Sequence, residues 1–179
     1  MGSSRSIAAA ALTILSFCGC ALTPRIVNMV PGPGNYLRTT TAKTIAVGSV
    51  TGGEESDPMF KGSRISDVNL RGALIMALQN AGYVAYGSPS IQTDYRLEAR
   101  ILVQTQPAAG FDMTSTLAVR YSLFRGGDAQ PTWEQEVRSS YTASVGEAFS
   151  GAERLNKANE GVVRKNLEQF LKEFGTLTL

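Results

Sequence analysis

The sequence has no histidine and only two cysteines among its 179 residues. Histidine is the commonest general base and metal ligand, and it is the usual partner of a serine nucleophile. The cysteines, Cys18 and Cys20, both lie near the N-terminus, so we expect no disulfide and no cysteine metal site in the folded part. No Ser/Lys dyad or pair of catalytic carboxylates stands out by spacing. Carboxylates can act alone, but the composition favours a protein that is not an enzyme and that binds no cofactor or metal.

The sequence also lacks an excess of charge of either sign, since 17 Lys and Arg face 15 Asp and Glu. A domain that binds nucleic acid ordinarily carries a strong basic excess. A polybasic surface that binds anionic membranes requires a similar excess. We therefore expect neither a nucleic-acid partner nor a polybasic membrane-binding surface.

A short apolar run near the N-terminus ends at a cysteine preceded by glycine. The run Ile7–Phe17 has about the length of the apolar region of a secretory signal peptide, whereas a membrane-spanning helix needs roughly 20 apolar residues. Gly19 before Cys20 is the small residue that a signal peptidase requires, and the residue before Cys18 is a bulky phenylalanine. We predict a lipoprotein signal peptide over residues 1–19 and lipidation of Cys20, with palmitate among its acyl chains.

Two other interpretations of the N-terminus remain open. Residues 1–6 match the N-myristoylation pattern, although this short match leaves the apolar run and the cysteines unexplained. An ordinary cleaved signal is the second alternative. Cleavage before Cys20 would leave 160 residues, which is enough for one domain with a hydrophobic core. Ala21, rather than aspartate, follows Cys20, and by analogy with enteric sorting this favours the outer membrane, with the domain facing the periplasm.

The mature chain divides into a tether and one domain. We predict an extended tether over residues 20–42, because prolines and glycines such as those at 31–34 disfavour a helix. Its apolar residues at 26–30 indicate that part of it packs on the domain. Residues 43–179 form the single periplasmic domain, which begins with a buried strand over 44–50.

A helix and a change of periodicity follow the first strand. The spacing of apolar residues predicts a helix over 67–81, capped by Ser66 and stopped by Gly82, with a short strand over 83–86 after it. Apolar and polar residues then alternate with period two over 95–103, 113–123 and 133–143. Such alternation indicates an antiparallel meander with one exposed face.

The exposed face of this meander is predicted to carry acids and bases: Arg96, Glu98, Arg100, Arg120, Glu134, Glu136 and Arg138. Cross-strand ion pairs are the simplest role for them, and a polar face that docks a partner is the alternative. Tyr121, Trp133 and Tyr141 share the phase of the aliphatic residues and are predicted to lie in the core.

A second helix is predicted after Ser150, with a capping box to Glu153 and an apolar stripe that reaches Phe174. Gly161 lies inside this helix, where it permits close packing on the sheet. The fold class is therefore α+β, a largely antiparallel sheet in the order β-α-β-β-β-β-α with two helices on one face.

The sequence Gly52-Gly-Glu-Glu-Ser-Asp57 is the nearest approach to a ligand motif. It lacks the terminal Gly-Lys-Ser/Thr of a phosphate-binding loop, and its carboxylate spacing matches no calcium loop. We interpret residues 52–57 as a solvated loop.

The chain resembles the YajG-type bacterial lipoproteins. The resemblance lies in the tract 137–149, which runs into a helix with Asn159-Glu160 and residues 166–171, and in Ala81-Gly82-Tyr83 after the first helix. The layout is also similar to lipopolysaccharide-assembly lipoproteins and to auxiliary lipoproteins of ABC-type transport systems. The resemblance implies an outer-membrane lipoprotein with a role in envelope assembly or transport, and it carries no catalytic residue over.

We therefore expect a non-catalytic binding or scaffold lipoprotein whose polar sheet face or free edge engages an envelope protein. A lipid-binding auxiliary subunit of a transport system is the alternative, and it would need an apolar groove between sheet and helices. An envelope hydrolase is a third possibility, which the absence of histidine opposes.

Overall fold

A computed structural model describes residues 24–54, 63–87 and 92–179. The described helices are α1 (Ile26–Met29), α2 (Asp67–Asn80) and α3 (Gly151–Phe174). The described strands are β1 (Thr44–Thr51), β2 (Val84–Tyr86), β3 (Tyr95–Thr105), β4 (Met113–Arg125) and β5 (Trp133–Ala143). The predicted β-α-β-β-β-β-α order is confirmed, with α1 added before it. The predicted signal peptide and Cys20 lie outside the described residues.

The five described strands form one mixed sheet in the order β2-β1-β3-β4-β5. β3, β4 and β5 pair antiparallel, as the period-two pattern predicts. β1 instead pairs parallel with both β2 and β3. The helix α2 connects β1 to β2, and a crossover of this kind is what parallel neighbours require. The α+β class is therefore confirmed, and the antiparallel pairing belongs to the second half of the sheet.

The core lies between the sheet and the helices α2 and α3, which pack on the same face. Both helices begin where predicted, because Ser66 Oγ accepts from the Asn69 N–H at 3.2 Å and Ser150 Oγ accepts from the Glu153 N–H at 3.1 Å. The predicted apolar stripe of α3 is buried along its whole length. None of the described helices is both long and apolar enough to cross a bilayer.

Gly82 ends α2, as predicted from the sequence. Its backbone has φ of 93°, a conformation that residues with a Cβ rarely adopt. The carbonyl of Thr39 also lies where a Cβ of Gly82 would be, and the Thr39 N–H donates to Ala81 O at 2.8 Å. The turn after α2 is therefore built around the incoming N-terminal segment.

The segment before β1 differs in part from the extended backbone predicted for it. Pro24 and Pro31 flank a single helical turn, α1, and do not interrupt it, so the prolines are compatible with a helix there. Met29 is completely buried in the core, and Tyr36 is also buried. The prediction that apolar residues of this segment pack on the domain is confirmed.

Candidate functional site

The face of the sheet opposite α2 and α3 carries the charged side chains predicted for it. All seven lie on this surface, which we call the outer face: Arg96, Glu98, Arg100, Arg120, Glu134, Glu136 and Arg138. The strand register brings them together, because Arg120 lies opposite Arg100 on β3 and opposite Glu136 on β5. The prediction of a shared charged face is therefore confirmed.

Most of these charges pair with one another. Arg120 lies 3.7 Å from a carboxylate oxygen of Glu134 and 3.7 Å from one of Glu136. Arg138 lies 2.5 Å from the other oxygen of Glu136, and Arg96 pairs with Glu98. Solvent-exposed ion pairs of this kind contribute only about 0–1 kcal/mol each to stability. The pairs therefore organise the outer face more than they stabilise the fold.

Arg100 is the exception on the outer face, since it makes no ion pair with any described residue. It lies directly opposite Arg120, and like charges in opposite positions of neighbouring strands destabilise a sheet. Both arginines line a depression of about 320 Å³ together with the hydroxyl groups of Ser49, Thr51 and Ser122.

The depression offers a recognisable donor set. Guanidinium groups bind carboxylate and phosphate in fixed geometry, and the hydroxyl groups of Ser49 and Thr51 add single donors, whereas Ser122 Oγ already donates to Glu134 at 2.9 Å. Glu98 and Glu134 line its rim, so the site is mixed in charge and not uniformly basic. The arrangement can hold an anionic group next to Arg100, while the two carboxylates are already paired with Arg96 and Arg120.

The described part of the glycine-rich loop, residues 52–54, forms hydrogen bonds with other parts of the domain. The Gly53 N–H donates to Asp67 Oδ1 at 2.6 Å, and the Glu54 N–H donates to Ile65 O at 3.1 Å. Glu54 also pairs with Arg64 at 3.0 Å. The backbone donors that would hold a phosphate are thus occupied at Gly53 and Glu54, and residues 55–57 lie outside the described part of the chain.

Sequence reasoning missed a row of buried polar residues on α3. Asn156, Asn159 and Glu160 are almost fully buried, although their residue types predict exposure. Asn159 accepts from Ser115 Oγ at 2.7 Å and donates to Ser63 O at 2.8 Å. Their spacing on one helical face was the only signal that could have revealed them.

Glu160 holds the N-terminal segment. Its carboxylate accepts from the Arg25 N–H at 2.7 Å and from Asn28 Nδ2 at 2.8 Å. Asn156 lies beside it, with Nδ2 3.5 Å from Glu160 Oε1. A buried carboxylate that receives such donors fixes the segment, because removing them would leave a charge without partners.

The aromatic residues predicted for the core fill the space between sheet and helices. Tyr121 is fully buried and stacks on Phe170 with ring centroids 4.2 Å apart, while Phe170 lies 5.0 Å from Phe174. Burial raises the pKa of the Tyr121 hydroxyl, which donates to Asn166 Oδ1 at 2.7 Å. Trp133 and Tyr141 are partly buried against the same cluster. An apolar lipid groove does not run through this part of the interface.

No group of three or more histidine, cysteine, aspartate or glutamate residues is placed to hold a metal within the described ranges. The outer face remains the part of the described structure where several functional groups converge without being fully used by the fold.

Several solved structures are similar to this chain. The protein XCC0632 from Xanthomonas campestris, a DUF330 protein, superposes with a TM-score of 0.57 at 13% identity, over 85% of this chain and 92% of that one. The hypothetical protein CT253 from Chlamydia trachomatis superposes with a TM-score of 0.51 at 10% identity, over 74% and 95% of the two chains. A minor lipoprotein from Acinetobacter baumannii reaches 0.45 at 11% identity, over 75% and 92%.

At these identities, the two superpositions with TM-scores of 0.57 and 0.51 demonstrate a common fold and nothing more. No protein-family model matches the sequence, and no curated protein matches it significantly. The arrangement of the outer face is therefore what bears on function.

Proposed function

We propose that this protein is a lipoprotein of the bacterial outer membrane, anchored through Cys20 and facing the periplasm. In this proposal its domain is a non-catalytic binding component in envelope assembly or transport, and the outer face engages an envelope protein. The observation that carries the proposal is Arg100, a guanidinium that forms no ion pair with any described residue, opposite Arg120 in a depression lined by Ser49, Thr51 and Ser122. Such a like-charge pair adds no stability to the fold. We therefore infer that the two arginines bind an anionic group of a partner.

The fixed N-terminal segment supports the same proposal. Arg25 is already held by Glu160, so only a few residues separate Cys20 from the folded domain. A lipid on Cys20 would therefore hold the domain against the membrane surface. Carriage of a lipid inside the domain is less well supported, because the aromatic cluster of Tyr121, Phe170 and Phe174 fills the interface that a groove would occupy.

A photocrosslinking experiment with the full chain in a Gram-negative host tests the binding role. A benzophenone amino acid at Ser122, beside the depression, is expected to give a discrete protein adduct, whereas the same residue at Lys172 on exposed α3 surface is not. Arg100→Glu should abolish the adduct. Arg38→Glu makes the same charge change at an exposed position away from the outer face and should leave it unchanged.

Equal adducts from Ser122 and Lys172, or an adduct that survives Arg100→Glu, would overturn the role of the outer face. The anchor is tested separately by palmitate labelling and density-gradient fractionation of membranes. Cys20→Ser is expected to lose the label and the outer-membrane location. A Cys20→Ser protein that keeps both would contradict the lipoprotein assignment.

A further inference from the structure

Three apolar side chains project from one end of the domain. Phe149 is fully exposed, Phe111 is 85% exposed and Val145 is 48% exposed. They lie on two loops, the β3–β4 connection at 106–112 and the β5–α3 connection at 144–150. We call Phe111, Val145 and Phe149 the apolar tip. Exposed aromatic side chains that are brought together in this way mark a contact surface.

The apolar tip is held in place by a buried arginine. Arg154 on the first turn of α3 is only 7% exposed and donates to the carbonyls of Ala148 and Phe149, both at 2.7 Å. Its other terminal nitrogen lies 3.5 Å from the carbonyl of Gly110 in the neighbouring loop. One guanidinium thus joins both loops. Its hydrogen bonds hold them in the conformation in which the two phenylalanines are exposed.

Further polar contacts fix the same loops. The Val145 N–H donates to Asp112 Oδ1 at 3.3 Å, which joins the second loop to the first. Glu147 accepts from the Ser144 N–H at 3.1 Å, and its carbonyl accepts from Lys157 Nζ at 2.6 Å. The hydrogen bond from Ser144 lowers the pKa of the Glu147 carboxyl, which stays ionised beside the tip.

The direction of the N-terminal segment relates the tip to Cys20. The Arg25 N–H is bonded to Glu160, and Asn35 Nδ2 donates to Glu168 Oε2 at 3.3 Å, two turns further along α3. Following the chain backward from Asn35 to Arg25 therefore leads toward the first turn of α3. The loop with Val145 and Phe149 leads into that turn, and Arg154 on the turn contacts the loop that carries Phe111.

The distances agree with this direction. Glu160 lies about 14 Å along the helix axis from Gly151, at a rise of about 1.5 Å per residue. Cys20 precedes Pro24 by four residues, which span at most about 14 Å even when fully extended. A lipid on Cys20 would hold this end of the domain, and not the opposite end, against the bilayer.

We propose that the apolar tip inserts into the bilayer leaflet that holds the lipid on Cys20. This inference rests on the proposed lipid anchor. A lipid alone attaches the domain but leaves it free to tumble, and a second contact of aromatic side chains at the interface fixes its orientation. Asp112 and Glu147 flank the tip, so insertion depends on apolar contact, and anionic headgroups do not favour it.

Insertion of the tip also sets the direction of the outer face. β3 and β5 end, and β4 begins, at the two loops that carry the tip, so these strands run along the membrane normal. The outer face then stands perpendicular to the membrane plane and faces sideways. Arg100 would meet a partner that stands in the same membrane or projects from it.

The test uses the full lipidated chain, purified from membranes and reconstituted into vesicles of phosphatidylethanolamine and phosphatidylcholine. An environment-sensitive NBD dye is attached at Phe149→Cys or at Phe111→Cys. The matched control is Leu37→Cys, an apolar side chain that is 69% exposed and lies beside Gly175, beyond the far end of α3. We expect a blue shift and quenching by doxyl-labelled lipid at both phenylalanine positions, and neither at Leu37.

Each other outcome overturns the proposal in a defined way. Aqueous emission from all three positions, with the protein still palmitate-labelled, refutes insertion while leaving the anchor intact. A blue shift at Phe149 that doxyl lipid does not quench indicates a protein contact in place of a membrane. A palmitate label that persists in Cys20→Ser refutes the anchor itself. Unfolding midpoints verify that the variants fold, as expected for exposed positions.

Discussion

The helix-covered face and the outer face of the sheet both carry polar side chains, and they use them differently. On the covered face Ser115 donates to Asn159 at 2.7 Å, Tyr121 donates to Asn166 at 2.7 Å, and Ser139 donates to Val162 O at 3.0 Å. Each of these bonds joins the sheet to α3. On the outer face the polar groups pair within the sheet and leave Arg100 without a carboxylate.

The difference separates structural polar groups from available ones. A buried hydroxyl needs a partner, because a buried donor without one costs about 1–3 kcal/mol. An exposed arginine has water and needs no partner to fold. Polar residues on the covered face therefore position α3, whereas those on the outer face are free to be selected for binding.

The largest expected difference between the faces comes from truncating one phenylalanine on each. Phe170→Ala removes a completely buried ring and should destabilise the fold by about 3–5 kcal/mol. Phe124→Ala on the outer face, where the ring lies under the Arg96 guanidinium at 4.2 Å, should cost less than about 1 kcal/mol. Urea unfolding of both variants measures the comparison, and similar losses would contradict it.

Gly161 tests how closely α3 approaches the covered face. A Cβ at this position would lie 2.5 Å from Cγ and Cδ1 of the Tyr141 ring. Gly161→Ala should therefore cost about 1–3 kcal/mol, even though alanine favours a helix by about 1 kcal/mol. In a Tyr141→Ala background the same change should be neutral or stabilising. A loss of equal size in both backgrounds would show that the ring is not the obstacle.

Tyr121→Phe removes a single hydroxyl from the covered face. The change leaves Asn166 Oδ1 buried without its donor, so we expect a loss of about 1–3 kcal/mol. Tyr141→Phe is the control, since its hydroxyl bonds to Glu147 at an exposed position and should contribute about 0.5 kcal/mol or less. Thermal and urea unfolding compare the two, and an equal effect would argue against a structural role for the buried bond.

The Tyr121 hydroxyl also predicts a pH dependence. Burial raises its pKa in the folded state, so its stability contribution is complete below the ordinary tyrosine pKa of about 10 and is lost as pH rises above it. The loss is roughly 1.4 kcal/mol per pH unit in that range. Unfolding free energies at about pH 9 and about pH 11 should fall less in Tyr121→Phe than in the natural chain. Parallel losses would refute the assignment.

The smallest effect belongs to Arg100 on the outer face. Arg100→Gln removes one member of the like-charge pair with Arg120, so its unfolding free energy should change by about 0.5 kcal/mol or less, toward stabilisation. Raising the salt concentration should reduce the gain, because salt screens exposed charges. A loss above about 1 kcal/mol would mean that Arg100 has a structural role.

Much of the fold follows from local pattern. The capping serines at 66 and 150, the stop at Gly82 and the period-two alternation of β3, β4 and β5 each depend on residues close together in the sequence. The shared charged face follows from the same alternation. Gly161 could be interpreted correctly because a glycine inside a strong apolar stripe indicates close packing.

Other features depend on contacts between distant parts of the chain. Glu160 binds Arg25 across 135 positions, and Ser63 bonds to Asn156 across 93. The spacing of Glu160 with Asn156 and Asn159 on one helical face is a weak signal of burial, because a glutamate on a helix ordinarily faces water. The apolar tip is similar, since contacts between two separate loops, including those of Arg154, bring Phe111 and Phe149 to the same end.

By itself the sequence determined which residues form α2, α3 and the five strands, which side of β3, β4 and β5 faces the core, and that histidine and cysteine chemistry is missing from the domain. These properties depend on side-chain type and spacing, which act within a few residues. The tertiary structure alone decided the parallel pairing of β1, the position of Arg100 opposite Arg120 and the end of the molecule where the N-terminal segment enters. Those depend on register and packing between distant segments, where the free energy of burial outweighs local preference.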